Sequence, residues 1–313
     1  MTAFDRPLRF AFPLQRGEDV RALQQALHRA GCFGTDADGI FGPATRDALV
    51  AFQRQAGLPP DGIADATTCT RLLACAPAAA TPADWRDCLR PYLRRLQAWH
   101  GAPVGPGTRR WKLTTQGLLL QGEDTPRRTA GTPRTATAAW QHFGPAMQAA
   151  AREFGVPVEL LLAIACTESG GRPEAIREEP GFTSDAETPQ RVSPGLMQTL
   201  ISTARAALHD ESLDRAKLFD PAISLRAGAA YLRSQAIAGR NPTGFDPPLA
   251  GAAYNAGSLR ASTGNAWGLV QTTYAPDRAY ADMLVGFLND AFAVLANAPP
   301  AAETPSYAAL LAQ

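Results

Sequence analysis

Apolar residues recur at helical spacing along two stretches of the N-terminal region. In the first stretch Val20, Leu23 and Leu27 fall on one face of a helix, while polar residues fill the other faces. In the second, Pro43 suits the first turn of a helix and Phe52 belongs to its apolar face. Both stretches therefore predict short amphipathic helices that share a small core.

A weak internal repeat accompanies these helices. An Asp-Gly-Ile turn at 38–40 is followed by Thr45, and a second at 61–63 is followed by Thr68 at the same offset. Asp-Gly pairs are typical of tight turns, because glycine tolerates left-handed backbone conformations. Each turn leads into a helix, so the repeat predicts a three-helix module over residues 1–75.

The remaining chain predicts a second, larger helical domain. Residues 76–83 are rich in alanine and proline and indicate a linker, after which a helical segment is expected to break near Pro91. Residues 111–135 mix β-forming residues with glycine, threonine and proline, which predicts a hairpin or an extended arm, and helical spacing returns from Ala138 onward. The fold is thus predicted to be mainly α, divided into a module at 1–75, a linker and connecting segment at 76–137, a helical domain at 138–298 and a C-terminal tail at 299–313.

Composition and charge exclude several classes of partner. The 30 basic and 29 acidic residues nearly cancel, so no charge excess points to nucleic acid or an anionic membrane. No stretch approaches the roughly 20 apolar residues that span a bilayer, and the first residues lack the pattern of a secretion signal. We expect a soluble monomer that is made in the cytoplasm and has no nucleic-acid or membrane partner.

The cysteines and histidines do not form a metal-binding pattern. The chain has five cysteines and four histidines, but no CxxC or HExxH motif. We therefore expect no metal and no cofactor. We expect the cysteines to be structural thiols. The alternative, in an oxidising compartment, is one disulfide among Cys32, Cys69, Cys75 and Cys88.

Glu168 is the main candidate for chemistry. Leu161, Ile164 and Glu168 are spaced so that the carboxyl group shares the apolar face of a helix, which Gly170 and Gly171 then end. Burial and the negative end of the helix dipole both disfavour a charged carboxylate. Both effects raise the pKa of Glu168, as a general acid requires. A solvated carboxylate at a helix end is the alternative for this pattern alone.

Residues 14–73 resemble the peptidoglycan-binding domain found on many cell-wall hydrolases. The specific parts of the match are the two Asp-Gly turns with their threonines, the first turn continuing as Phe-Gly, and the Ala-Phe-Gln sequence at 51–53. The resemblance implies wall-binding roles for five residues: Asp38, Gly39, Phe41, Phe52 and Gln53. Packing of a very small core is the alternative role for the two phenylalanines.

Residues 143–293 resemble the soluble lytic transglycosylases, which have a goose-lysozyme-like fold. Three motifs support the match: Glu168-Ser169, Gly-Leu-Met-Gln at 195–198 and Ala-Tyr-Asn-Ala-Gly at 253–257. Residues 219–233 and 280–290 match two helices of that family. The resemblance implies that Glu168 is the catalytic acid/base and that six residues bind substrate: Ser169, Met197, Gln198, Tyr254, Asn255 and Tyr280. Of these, Tyr254 and Asn255 would also hold the catalytic carboxyl, whereas core packing is the alternative for Met197 and Tyr254.

The resemblance implies cleavage of the β-1,4 bond between N-acetylmuramic acid and N-acetylglucosamine by one carboxyl group. Ordinary glycosidases need two carboxylates, and an insertion at 172–194 contains four candidates for the second: Glu178, Glu179, Asp185 and Glu187. A hydrolytic lysozyme is therefore the alternative activity. Arg177 stands near the position where many members of the family have a substrate-binding serine, and Ser193 is our candidate for that role.

Two further questions concern the biological setting. A non-catalytic wall-binding or virion structural protein is the alternative outside the enzymes. An enzyme that acts on peptidoglycan without an export signal would reach it after release by a holin, by lysis or by a secretion machine. A phage endolysin and a type VI secretion effector both fit this expectation.

Overall fold

The computed structural model describes residues 6–30, 32, 37–74, 85–238, 241–275 and 278–312. In that part of the chain the protein is mainly α with small two-stranded sheets, as the sequence predicts. The helices are α1 (Glu18–Arg29), α2 (Pro43–Gln55), α3 (Ala66–Ala74), α4 (Trp85–Gln97), α5 (Arg134–Phe154), α6 (Val158–Ser169), α7 (Ile201–Leu208), α8 (Arg215–Leu218), α9 (Pro221–Ala236), α10 (Pro247–Ala256), α11 (Tyr280–Asn297) and α12 (Tyr307–Leu311). The strands form four antiparallel pairs: β1 (Leu8–Arg9) with β2 (Ile63–Ala64), β3 (Trp111–Thr114) with β4 (Gly117–Leu120), β5 (Ile176–Glu178) with β6 (Val192–Pro194), and β7 (Thr273–Ala275) with β8 (Arg278–Ala279).

The chain divides into two compact units. The N-terminal unit comprises Met1–Pro82 and Ile237–Pro242, and the C-terminal unit comprises Ala83–Ala236 and Thr243–Gln313. The predicted linker at 76–83 lies outside the described residues. None of the described helices is both long and apolar enough to cross a membrane.

The N-terminal unit packs its three helices around one small core. Val20, Leu23 and Leu27 of α1 are buried in this core, as their spacing predicts. Phe41 and Phe52 are also buried, with 0% and 3% of their surface exposed. Both rings therefore stabilise the core, which is the alternative role expected for them from the sequence.

Each Asp-Gly turn of the internal repeat is held by a buried glutamine. The Gln24 amide donates to Asp38 Oδ1 at 2.8 Å and to Thr45 Oγ1 at 3.0 Å, while its oxygen accepts from the Gly39 N–H at 2.8 Å. The repeated sequence thus corresponds to a repeated hydrogen-bond network. The role of Gln24 could not be predicted from the sequence, because its distance along the chain from the turn follows no local pattern.

The second turn has the same network. Gln53 donates to Asp61 Oδ1 at 2.8 Å and to Thr68 Oγ1 at 3.4 Å, and it accepts from the Gly62 N–H at 2.9 Å. Gln53 is only 1% exposed. The expected wall-binding residue is therefore buried, and it holds the turn.

Helix α6 forms the centre of the C-terminal unit. All residues from Val158 to Cys166 are buried, and the helix packs against α5 and α11. The sequence pattern predicted one apolar face, whereas the helix is enclosed on all sides over most of its length. A helix that is apolar all round is typical of a protein interior. Its last turn, which contains Glu168, is the part that reaches the surface.

The segment before α5 differs in part from its prediction. Helix α4 continues through Pro91, so the expected break near this residue is wrong. An internal proline costs a helix about 3 kcal/mol, and burial of Leu89 and Leu96 offsets that cost. Strands β3 and β4 form the hairpin that was one of the two expected alternatives. The hairpin is fixed to α11, because Asn289 accepts from the Leu118 N–H at 2.7 Å.

The residues named a C-terminal tail are bound to the start of α6. The Glu159 carboxylate accepts from the Ser306 hydroxyl at 2.5 Å and from the backbone N–H groups of Tyr307 and Ala308, both at 3.0 Å. Glu159 and Tyr307 are fully buried. Residues 304–308 therefore belong to the packed structure of the C-terminal unit.

The cysteines that the structure describes in full are consistent with structural thiols. Cys69 and Cys166 are free and buried, and burial raises their pKa values to about 11 and about 12. Cys32 contacts the Ala30 carbonyl oxygen at 3.6 Å. Cys75 and the side chain of Cys88 lie outside the described part of the chain.

Candidate active site

Glu168 occupies the last turn of α6, where the buried helix reaches the surface. The helix ends as the sequence predicts, because Gly170 and Gly171 both adopt left-handed backbone conformations, with φ of 64° and 77°. Residues other than glycine rarely adopt this conformation without strain. The carboxyl group is therefore fixed on a rigid helix and remains half-buried rather than enclosed.

Tyr280, the first residue of α11, is the hydrogen-bond partner of this carboxyl group. Its hydroxyl donates to Glu168 Oε1 at 2.7 Å. The resemblance to the transglycosylases had assigned the holding of the carboxyl to Tyr254 and Asn255. The structure instead gives this contact to Tyr280, which is only 1% exposed.

The surroundings of Glu168 favour its protonated form at neutral pH. Burial raises its pKa to about 7, against the opposing effects of the Tyr280 hydrogen bond and the positive charge of Arg177. Burial and the charge of Glu168 also raise the pKa values of Tyr254 and Tyr280 well above their usual range. Both phenols therefore remain neutral. The carboxyl group can donate a proton near pH 7 and accept one afterwards, which a general acid/base requires.

The loop at 195–199 is fixed by Tyr254, a second phenol that the charge of Glu168 influences. The Tyr254 hydroxyl donates to the Met197 carbonyl at 2.9 Å and lies 2.7 Å from the Thr199 hydroxyl. Met197 packs so closely against α9 that a Cβ atom at Gly228 would lie 2.6 Å from its methyl group. Gly195 has φ of 85°, and a Cβ there would lie 2.0 Å from the Leu218 carbonyl oxygen. The Gly-Leu-Met-Gln motif is therefore a rigid loop, and Met197 is fully buried within it.

The other expected substrate-binding residues are mostly engaged with the backbone. The Ser169 hydroxyl donates to the Ala165 carbonyl at 3.0 Å, and the Gln198 amide donates to Ala175 and Gly195 carbonyls, both at 2.9 Å. Asn255 Oδ1 accepts from the Thr272 N–H at 2.7 Å. These contacts fix the loops around Glu168. Gln198 and Asn255 remain half-buried, whereas Ser169 is 2% exposed.

Two acidic residues of the insertion are held by Arg215. Its guanidinium group donates to Asp185 Oδ1 at 2.7 Å and to Glu178 Oε1 at 3.0 Å. The Arg215 hydrogen bond holds the pKa of Asp185 below its usual range. This cluster fixes the insertion to α8, which accounts for two of the four carboxylates considered for a hydrolytic mechanism.

The described residues contain no group of three or more histidine, cysteine, aspartate or glutamate side chains that could hold a metal ion. The chemistry around Glu168 is that of a carboxyl group among phenols and one guanidinium group.

Two parts of the chain are similar to known protein families. A family of peptidoglycan binding domains matches residues 16–72, and the transglycosylase SLT domain family matches residues 145–267. The N-terminal part of the chain is thus similar to peptidoglycan-binding domains, and the C-terminal part to transglycosylase SLT domains. The second match contains Glu168 together with the Gly-Leu-Met-Gln and Ala-Tyr-Asn-Ala-Gly motifs, and it ends before Tyr280.

Several characterised proteins share shorter regions of similarity with the chain. The zinc D-Ala-D-Ala carboxypeptidase of Streptomyces albus G is 36% identical over 113 residues, which are 31% of this chain and 41% of that protein. A spore cortex-lytic enzyme of Bacillus cereus is 48% identical over 52 residues, 17% of this chain and 20% of the enzyme. The localization factor PodJL of Caulobacter vibrioides is 39% identical over 62 residues, 20% of this chain and 6% of that protein. The chain thus spans less than half the length of each of these relatives.

Among solved structures, the endolysin of the Burkholderia AP3 phage is similar to this chain. The two are 19% identical, and the match covers 74% of this chain and 84% of that one. The TM-score is 0.20, so this similarity adds nothing to the fold described above.

Proposed function

We propose that this protein cleaves peptidoglycan glycan strands at the β-1,4 bond between N-acetylmuramic acid and N-acetylglucosamine. The observation that supports this most strongly is the half-buried Glu168, which has a pKa of about 7 and lies within the SLT domain match. A carboxyl group that is half protonated near neutral pH can serve in both directions of proton transfer. The reaction therefore needs no second carboxylate.

In the first step, Glu168 donates its proton to the glycosidic oxygen. The bond to the anomeric carbon of the muramic acid breaks, and the N-acetylglucosamine hydroxyl leaves. The N-acetyl group of the muramic acid stabilises the electron-poor anomeric carbon. Tyr280 keeps the resulting carboxylate in place, since its hydroxyl donates to Oε1.

In the second step, the Glu168 carboxylate accepts the proton of the C6 hydroxyl of the same muramic acid. The C6 oxygen then attacks the anomeric carbon, which closes a 1,6-anhydro ring. Glu168 ends the cycle protonated, as it began. No water is consumed, which distinguishes this reaction from the two-carboxylate hydrolysis of ordinary glycosidases.

Mass spectrometry of digested peptidoglycan tests this proposal. We expect anhydro-muramic ends, which are lighter by one water than reducing ends, and we expect the activity to persist in a metal chelator. A digest dominated by reducing ends would identify a hydrolytic lysozyme instead. A protein that binds peptidoglycan but releases no fragments would identify the non-catalytic alternative.

The peptidoglycan-binding domain suggests how the enzyme reaches its substrate. We propose that the N-terminal unit holds the enzyme, as a monomer, on the peptidoglycan of the periplasm or cell wall. The similarity of residues 16–72 to a peptidoglycan-binding family supports this role. The buried Phe41, Phe52 and Gln53 would act by maintaining the fold of that unit.

A further inference from the structure

The β5–β6 hairpin presents Arg177 on the side opposite the Arg215 cluster. Successive side chains of a strand point to opposite faces, and Glu178 is bound to Arg215 at 3.0 Å. Arg177 therefore points away from that cluster. Its cross-strand partner is Ser193, which shares its face and is 8% exposed. The strand pair lies against the Gly-Leu-Met-Gln loop, because the Ala175 carbonyl accepts from the Gly195 N–H at 2.7 Å and from the Gln198 amide at 2.9 Å. The Arg177 charge is also close enough to Glu168 to lower the pKa of its carboxyl group.

The Arg177 side chain is accessible to a ligand. It is 67% exposed, and its guanidinium group lies 3.9 Å from Glu179 Oε1. The Glu179 side chain is itself 42% exposed. Such a long, exposed pair contributes little stability, so a carboxylate at hydrogen-bond distance would readily replace it.

An exposed aromatic ring lies on the strand that pairs with Arg278–Ala279, directly before Tyr280 and its hydrogen bond to Glu168. Tyr274 of β7 is 54% exposed, and its phenol is influenced by the charges of both Glu168 and Arg177. Its strand is anchored through Thr272, whose N–H donates to Asn255 and whose carbonyl accepts from the Tyr280 N–H at 2.9 Å. A guanidinium group and a flat ring therefore lie near Glu168 on two separate hairpins.

We propose that Arg177 forms a carboxylate-binding subsite beside Glu168, which recognises an acidic group on the muramic acid substituent while Tyr274 packs against a sugar ring. This inference rests on the proposed function. Muramic acid differs from N-acetylglucosamine by its lactyl arm, which ends in a free carboxylate or continues into a peptide with carboxylates. The arginine fork matches such a group with two parallel hydrogen bonds.

Steady-state kinetics on matched glycan strands test the subsite and distinguish the two sources of the carboxylate. The substrates are peptide-free strands with the lactyl carboxylate free or amidated, and peptide-bearing strands with their carboxylates free or amidated. We expect wild-type protein to show a KM lower by about tenfold for the carboxylated member of at least one pair, since hydrogen bonds to charged groups are worth this much or more. The pair that shows the preference identifies the source.

The variants Arg177→Ser and Arg177→Lys separate recognition from folding. Arg177→Ser should raise KM about tenfold on the preferred substrate and leave KM on its amidated partner unchanged, whereas Arg177→Lys should restore part of the preference. Arg152→Ser is the matched control, because Arg152 lies at the end of α5 that adjoins the start of α6, away from Glu168, and pairs with Glu303. It should leave both KM values unchanged.

The pH dependence of kcat gives a second measurement. Loss of the Arg177 charge raises the pKa of Glu168, so the decline of activity at alkaline pH should move to higher pH in Arg177→Ser.

Equal KM values for free and amidated strands in the wild type would overturn the subsite, even if Arg177→Ser did not fold. Failure of the wild type to cleave any strand would overturn the proposed function instead.

Discussion

Glu168 derives its proposed chemistry from its position at the boundary between a buried helix and the surface. Burial raises its pKa to about 7, while Tyr280 and Arg177 oppose this rise. A carboxyl group with these neighbours is protonated in a large fraction of molecules at neutral pH. Once it ionises, Tyr280 and Arg177 stabilise its negative charge. The pKa of this single residue therefore determines the pH range in which we expect activity.

Replacing Glu168 by glutamine should abolish cleavage. Glutamine has nearly the same size but can neither donate the proton in the first step nor accept it in the second, so we expect a loss of about 10⁴-fold or more. Folding should be maintained, because a neutral amide lowers the cost of burial. The measurement is turbidity clearing of purified peptidoglycan, with circular dichroism and wall sedimentation as checks on folding and binding.

The matched controls are the insertion variants Asp185→Asn and Glu187→Gln. Both should keep activity within about tenfold, since general acid/base catalysis is worth more than that. If Glu168→Gln retained a tenth of the wild-type activity while either control were inactive, the assignment of Glu168 would be wrong.

Replacing Tyr280 by phenylalanine should shift the pH profile. The Tyr280 hydroxyl stabilises the charged form of Glu168 and so lowers its pKa. Its loss raises that pKa, and the decline of activity at alkaline pH should therefore move to higher pH. Tyr231→Phe is the control, because the Tyr231 hydroxyl bonds to the Gly257 carbonyl at 3.2 Å. An alkaline limb that stays in place or moves to lower pH in Tyr280→Phe would contradict this account.

At the scale of the elements, short turns are held by side chains from distant helices. In the N-terminal unit, α1 supplies Gln24 to the first Asp-Gly turn, and α2 supplies Gln53 to the second. The turns are thereby fixed although the strands β1 and β2 have only two residues each. The unit depends on these buried amides as well as on its small apolar core.

Replacing Gln24 by alanine should destabilise the N-terminal unit. The change removes four buried or partly buried hydrogen bonds and leaves the Gly39 N–H without its partner, which we expect to cost about 2–4 kcal/mol. Gln25→Ala is the matched control, because Gln25 is exposed and adjacent in sequence, and surface changes of this kind stay within about 0.5 kcal/mol. Hydrogen exchange of the Gly39 and Ile40 amides in the full chain measures the difference. Equal protection in the two variants would show that the network contributes no stability.

At the scale of the whole molecule, the protein consists of two units with separate cores. The N-terminal unit contains the peptidoglycan-binding domain match, and the C-terminal unit contains Glu168 and the SLT domain match. Residues 304–308 and the β3–β4 hairpin are packed into the C-terminal unit. This unit is therefore larger than the domain at 138–298 that the sequence suggested.

Separating the units should separate binding from cleavage. A fragment of residues 1–82 should sediment with insoluble peptidoglycan, and a fragment of residues 83–313 should cleave it with reduced efficiency because it no longer accumulates on the wall. A third fragment of residues 138–298 should be unstable, since it lacks the partners of Asn289 and Glu159. A folded N-terminal fragment that binds no wall preparation would contradict the division of roles.

The sequence by itself determined the features that depend on neighbouring residues. The helical spacing, the glycines that end α6 and the repeated Asp-Gly turns all follow from local conformational preferences, and the family motifs located Glu168. Only the tertiary structure decided which groups surround the carboxyl. Tyr280 lies 112 positions away along the chain, and Arg177, whose charge lowers the pKa of Glu168, is positioned by the pairing of β5 with β6. Contacts of this kind depend on how distant elements pack, and that packing cannot be predicted from local sequence patterns.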